Sequence, residues 1–321
     1  MNVTIAIATY NRAVEVEKTL AGLGRLNIIG CPEHEILVID NNSSDGTADS
    51  VARFIPHFGG RLRCVREEKQ GLSHARNRAI DEARYPIVAY LDDDVDVDPH
   101  WLKNLSDAFA NEEVAVIGGR AFLVYPGSRP RWLSDSVEGL LTKVELGPIR
   151  RTAVAGEIYG VNLSFRKDWL KRAGGFRTDI GRIGTSLLGG EDDDMVARVA
   201  ALGGKVLYEP MAVVGHRVPA SRISRKWFRK RCFWGSVTSP RMWPDEQVTR
   251  YQVMRATWHV ALMSWRTTRA ALRHGPRSAS CFQQFLNVAS RAGLWFGLVR
   301  ELRRRGGLLG RARAAQVCPA T

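Results

Sequence analysis

Four short apolar runs, separated by three helical stretches, occupy the first hundred residues and leave few ways to fold them. Residues 3–8 (VTIAIA), 35–40 (EILVID), 62–66 (LRCVR) and 87–91 (IVAYL) are the runs; residues 13–24, 47–58 and 72–83 are the helical stretches between them. Apolar runs of this length suit strands buried on both faces. Helical crossovers between them imply right-handed βαβ units and an α/β fold with a mainly parallel, mixed sheet flanked by helices. In such sheets ligands bind beyond the carboxyl ends of the strands. Thr9, Tyr10, Asn11 and Arg12 follow the first run, Asp40 and Asn41 close the second, and Asp92, Asp93 and Asp94 close the fourth. Three polar clusters are therefore expected to meet at one edge.

Beyond residue 113 the alternation loosens. Strands are expected at 114–118, 158–165, 206–208 and 212–214, and helices at 166–173 and 191–202. Residues 120–158 read as irregular, 178–190 as a glycine-rich loop, and the chain from 221 onward as helical. Charge divides the same way. Residues 1–217 carry 27 Lys and Arg against 30 Asp and Glu, net −3; residues 218–321 carry 20 against 3, net +17, and the sum is the +14 of the whole chain. A catalytic domain over 1–218 and a basic, mostly helical region over 219–321 are expected. The five cysteines, Cys31, Cys64, Cys232, Cys281 and Cys318, are odd in number with no CxxC pair, which fits a reducing compartment. The N-terminus has no signal-peptide pattern. The most apolar stretch, 282–299, is interrupted by Gln283, Gln284, Asn287, Ser290 and Arg291, so no membrane span is expected. A cytoplasmic chain, peripheral on the inner face of the membrane, is the expectation.

Asp92, Asp93 and Asp94 at a strand end suit a hard divalent cation, which takes carboxylate and phosphate oxygens; a solvated acidic turn is the plainer alternative. Glu191, Asp192, Asp193 and Asp194 open a helix. Acids there stabilise the helix dipole, yet four exceed that need, and one could serve as a general base. His216 follows a strand and could complete a metal site begun by Asp94. Neither GxGxxG nor GxxxxGK[ST] occurs, which argues against dinucleotide and Walker-type sites.

The chain resembles the family 2 glycosyltransferases of GT-A fold, from residue 3 to about 218. The resemblance rests on ATYNR at 8–12, VIDNNSSDGT at 38–47, GLSHARNRAI at 71–80, YLDDDV at 90–95 and GGEDDDMVARVAALGG at 189–204, with GHRV at 215–218 adding to it. It implies inverting transfer of a sugar from a nucleotide diphosphate to an acceptor hydroxyl, of the hexosyltransferase type. By this resemblance Thr9, Tyr10, Asn11 and Arg12 line the nucleotide pocket, Asp40 and Asn41 contact the base, and Arg76 reaches the nucleotide. Asp92 or Asp93 lies toward the ribose, while Asp94 and His216 hold Mg²⁺ or Mn²⁺. Asp192 matches the catalytic base, with Glu191 beside it. Asn41-Asn42 stand where Asp-Gly is common and leave the base open: a UDP-sugar is expected first, with dTDP- and GDP-sugars as alternatives.

The basic third interleaves Trp227, Phe228, Phe233 and Trp234 with arginines and lysines, and residues 282–305 run from apolar to basic. An anionic membrane surface and a lipid-linked or glycan acceptor are the expected partners, in cell-surface polysaccharide or glycolipid synthesis. Packing on the catalytic domain with solvated arginines is the alternative. Nucleic acid ranks below both, since no nucleic-acid module is present. A sugar nucleotidyltransferase or a non-catalytic membrane scaffold are the competing functions. The first lacks a basic, glycine-rich N-terminal loop; the second is disfavoured by Asp94, Asp192 and His216 standing together in one sequence.

Overall fold

The four runs become strands, three inside the sheet and the run at 62–66 at its edge. The computed structural model describes residues 1–184, 186–276 and 278–306; Cys318 lies outside them. β1 (Val3–Thr9), β2 (His34–Asp40), β3 (Leu62–Arg66) and β4 (Ile87–Asp92) alternate with α1 (Ala13–Leu23), α2 (Thr47–Phe54) and α3 (Leu72–Glu82). There follow β5 (Val95–Val97), α4 (Trp101–Ala108), β6 (Val114–Val124), β7 (Arg151–Thr152), β8 (Asn162–Arg166), α5 (Lys167–Arg172), α6 (Glu191–Ala201) and β9 (Lys205–Arg217). Three α-helices follow among the described residues: α7 (Arg225–Thr238), α8 (Arg250–His274) and α9 (Ala279–Arg304).

Among the described residues nine strands form one sheet in the order β3-β2-β1-β4-β8-β6-β9-β5, with β7 also paired to β9. The β3-β2-β1-β4 half is parallel, as crossover helices require. Beyond it β8 runs antiparallel to both β4 and β6, so the sheet is mixed. Every residue of β2 is buried, and β1 and β4 are nearly so, the pattern of strands covered on both faces. Trp101, Phe109, Phe165 and Tyr208 are the bulkiest wholly buried side chains of this core.

Two expected short strands, 206–208 and 212–214, are one strand, β9. The reason they look separate is Pro210, which has no N–H for the ladder. The register against β6 jumps there, from Gly119 opposite Glu209 to Arg120 opposite Val213. The carbonyls freed by the bulge are not orphaned. Asn162 donates through Nδ2 to the carbonyl oxygens of Ala212 (2.8 Å) and Arg120 (3.1 Å), and accepts from Trp101 Nε1 (3.0 Å).

The chain divides into two compact units, Met1–Phe228 and a second beginning at Arg229. In the first, Phe228 is fully buried with its ring edge-on to Trp132 at 5.6 Å, so this aromatic is core. In the second, α8 packs along α9, with Val248, Ala256, Leu298 and Leu302 at its centre. α9 also meets α7 closely. A Cβ at Gly293 would lie 2.1 Å from the Phe233 carbonyl oxygen, and one at Gly297 would lie 2.4 Å from that of Val237. Glycines four apart on one helix face let the two backbones touch.

Candidate active site

Parallel pairing in register fixes the first cluster. Thr9 stands opposite Asp40, and Ala8 opposite Asp92, so three strands end together. Thr9 Oγ1 donates to Asp93 Oδ2 at 2.7 Å. Arg12 spans the next two acids, with Nε 3.1 Å from Asp93 Oδ1 and Nη2 2.7 Å from Asp94 Oδ2. Both carboxylates are buried, and one guanidinium does not neutralise two. Their environments push them apart. Burial, helped by Asp94 and Asp92 and opposed by Arg12 and Thr9, pushes the Asp93 carboxyl up to about 7. Burial opposes ionisation of Asp94 too, but His216, Arg12 and Arg222 outweigh it and hold its carboxyl well below the usual range.

The loops carrying these residues are stitched together. Asn11 adopts a left-handed backbone (φ 51°), a conformation asparagine tolerates. Its N–H donates to Ser43 Oγ (2.9 Å), and its Oδ1 accepts from the Ser44 N–H (2.8 Å). The Arg12 N–H donates to Thr47 Oγ1 (3.0 Å). Tyr10, half-buried, belongs to the same turn. Asp40 is buried and accepts from the Ser43 N–H at 3.1 Å. Asn41 holds the loop before α3: Nδ2 donates to the Lys69 carbonyl (2.8 Å), and Oδ1 accepts from the Gly71 N–H (2.8 Å).

A second cluster forms where α6 begins, and it contains Arg76. The resemblance implies that Arg76 reaches the nucleotide; its buried guanidinium lies against α6. Nη1 lies 3.0 Å from Glu191 Oε1 and also pairs with Asp192 Oδ1. The rings of Phe176 and Tyr90 lie under the same guanidinium, at 5.4 and 5.9 Å. The Gly160 N–H donates to the other oxygen of Asp192 at 2.9 Å. Gly160 is a residue that pattern reasoning missed: a Cβ there would sit 2.0 Å from Arg76 Nη2 and 2.8 Å from each Asp192 oxygen. Burial pushes the Asp192 carboxyl up to about 6, with Glu191 and Asp92 adding and Arg76 and Gly160 opposing. The other two acids have separate duties. Asp193 accepts from the Gly156 N–H (3.0 Å), and Asp194 pairs with Arg198 one turn on (2.6 Å).

His216 joins the first cluster from β9, opposite Val95 of β5. Its Nδ1 lies 2.8 Å from the Leu141 carbonyl oxygen, an acceptor only, so Nδ1 carries the proton. Nε2 is buried without a hydrogen-bond partner, 3.4 Å from Asp94 Oδ1. An unprotonated Nε2 and the Asp94 carboxylate are two acceptors that a cation between them would satisfy, whereas a proton on Nε2 takes that place when the ring holds Asp94 ionised; the backbone-held imidazole is the arrangement usual for a ligating histidine. Among the described residues no group of three or more His, Cys, Asp or Glu is placed to hold an ion unaided. Arg222, part of the basic region by sequence, is half-buried and lies in the field of Asp94 and Asp92. Its one sequence signal is its place six residues after His216.

Comparison with known proteins shows the family to which the chain belongs. The sequence profile described as Glycosyl transferase family 2 matches residues 4–174, over half of the chain. The chain belongs to this family. Among relatives of this family 2 member, the succinoglycan biosynthesis protein ExoM of Rhizobium meliloti is 26% identical over 304 residues, 93% of each chain. The glucosyl-dolichyl phosphate glucuronosyltransferase of Haloferax volcanii is 25% identical over 250 residues, 73% of this chain and 75% of that one. The fold is similar to the mannosyltransferase PcManGT of Pyrobaculum calidifontis, solved with GDP-Man and Mn²⁺. That match has a TM-score of 0.61 and 22% identity over 91% of this chain and 87% of the other. It is also similar to S. aureus TarS 1-349 in complex with UDP, with a TM-score of 0.52 and 14% identity over 95% and 92%. The family 2 chain thus has the GT-A fold and is a glycosyltransferase.

Proposed function

We propose that this transferase moves a hexosyl group, with inversion, from a nucleoside-diphosphate sugar to a hydroxyl of a lipid-linked or glycan acceptor. The setting proposed is cell-surface polysaccharide or glycolipid synthesis. The observation that carries this reading is Asp192. It is one carboxylate, fixed on one side by Arg76 and on the other by the Gly160 N–H, yet part-exposed, while neighbouring Glu191 is buried. A single displacement at the anomeric carbon needs one base to take the acceptor proton, whereas glycoside hydrolysis needs two carboxyl groups about the bond. Glu191 then shares Arg76 and sets its position.

Thr9, Tyr10, Asn11, Arg12 and Asp40 form the donor pocket in this reading, with Asp92 and Asp93 toward the ribose. Asn41 supports it by holding the neighbouring loop. Asp94 and His216 would hold Mg²⁺ or Mn²⁺, which when bound supplies positive charge for the leaving diphosphate. The domain reading is a catalytic domain over 1–218 followed by a basic, mostly helical region over 219–321, of which 307–321 lie outside the described residues, that rests on an anionic membrane surface. A UDP-sugar is the first donor to test, followed by GDP- and dTDP-sugars. Nucleotide release from a panel of sugar nucleotides, with Mn²⁺ or Mg²⁺ and with chelator, is the experiment. Metal-dependent release from one donor supports the proposal; no release from any donor, with or without an acceptor glycolipid, overturns it.

A further inference from the structure

The helix α8 carries an apolar stripe on the side away from its packing partner. Ala256, Thr267 and Ala270 are its buried residues. Tyr251, Met254, Trp258, Trp265 and Leu272 are exposed, with Trp258 at 68% and Trp265 at 56%. Their spacing of three, four and seven places them on one face, roughly opposite the buried residues at about 100° per residue. Tryptophan is seldom left open on a soluble surface, and contiguous exposed apolar area marks an interaction site.

The charge beside the stripe says what covers it. α8 holds five arginines and no Asp or Glu along its length. Arg255, Arg266 and Arg273 have no carboxylate partner among the described residues. Towards the end of α8 an open cleft of about 450 Å³ separates it from the first turns of α9. Trp265, Arg266, Arg269, Arg273, Ser280 and Gln284 line it, and Arg269 lies 5.4 Å over the Trp265 ring. Pairing with a second α8 would set arginine against arginine with no acid to relieve it. A nucleic acid would take the arginines and leave Met254 and Leu272 wet. An anionic bilayer uses both features, phosphates at the arginines and the acyl boundary at the stripe. No helix among the described residues is long and apolar enough to cross a membrane.

We infer that the outer face of α8 is the surface by which this chain lies on an anionic membrane, with its arginine cleft taking lipid phosphate headgroups. This rests on reading the basic third as membrane-facing, and assigns that contact to α8 rather than to the aromatic-basic run at 221–235. The test is flotation of the full chain with phosphatidylserine–phosphatidylcholine vesicles, against phosphatidylcholine alone, at low and high salt. Three variants are compared: Trp258→Ser with Trp265→Ser; Arg266→Glu with Arg269→Glu and Arg273→Glu; and a control in α7, Arg229→Glu with Lys230→Glu. Circular dichroism and donor hydrolysis verify that each is folded. The arginine variant should lose roughly 100-fold or more in partitioning at low salt. The tryptophan variant should lose roughly tenfold at either salt, and the control should bind as the native chain does. If the α8 variants float normally and the control fails, the assignment to α8 falls while the membrane reading stands. If the native chain ignores anionic vesicles at low salt, both fall. A dimer abolished by the tryptophan variant, or duplex DNA binding without flotation, also overturns the inference.

Discussion

At the scale of single residues, the proposed base is set by two contacts, Arg76 and the Gly160 N–H, with Glu191 sharing Arg76. Asp192→Asn keeps the shape and removes the proton acceptor. Transfer should fall about 10²–10⁴-fold while nucleotide affinity, measured by calorimetry, stays near native. The same carboxyl gives a pH dependence whose sign is fixed. Burial disfavours its charged form and raises its pKa to about 6. Below that pH it is protonated and cannot accept the hydroxyl proton, so kcat/KM at saturating metal should rise with pH through about 6 and then level. A profile flat from pH 5 to pH 7, on the order of a unit either side of that value, would assign the base elsewhere. Gly160→Ala acts on the same group indirectly. Its methyl would displace Arg76 and Asp192, and kcat should drop roughly 100-fold with little change in donor KM. Asp92–Asp94, Glu191, Asp192 and His216 were legible in the sequence because each sits at the end of a periodic element, where chemistry collects. The partner of Arg76 was not legible, since 116 positions separate it from Asp192 and only the folded sheet brings them together. Gly160 carries no local signal for the same reason.

At the scale of elements, strands with one uninterrupted apolar run were legible nearly to their ends. β5 and α4 were not, because 94–98 alternates acids with valines and reads as an acidic turn. β9 was split by Pro210 for the reason given above. Among the helices, α7 and α9 meet backbone to backbone at Gly293 and Gly297. Gly293→Ala sets two effects against each other. Alanine gains about 1 kcal/mol of helix propensity, but its methyl would meet the Phe233 carbonyl oxygen at 2.1 Å and force the helices apart. Overpacking costs about 1–3 kcal/mol and is greatest against unyielding backbone. A net loss is therefore expected, read as a lower urea midpoint for far-ultraviolet circular dichroism. A gain in stability would mean that the two helices separate freely.

At the scale of the whole molecule, donor and cation should act as one ligand, since Asp94 and His216 provide two side chains and the diphosphate would have to provide the rest. A ligand that binds only the folded state, at about 100 times its Kd, adds about 2.7 kcal/mol. UDP with Mn²⁺ should raise the melting temperature accordingly, and chelator or Asp94→Ala should abolish the rise. Equal shifts with and without chelator would remove the cation from the site. The hydrogen bonds that join Asn11 and Arg12 with Ser43, Ser44 and Thr47 bear on how such a donor is received. They tie the two loops to each other, so under the proposed assignment the donor pocket would be a mould rather than a glove. A base of the wrong outline meets fixed walls. A lineage changing its donor would therefore have to recut two loops in concert, and single substitutions there would sooner yield an enzyme without a sugar than one with a new sugar.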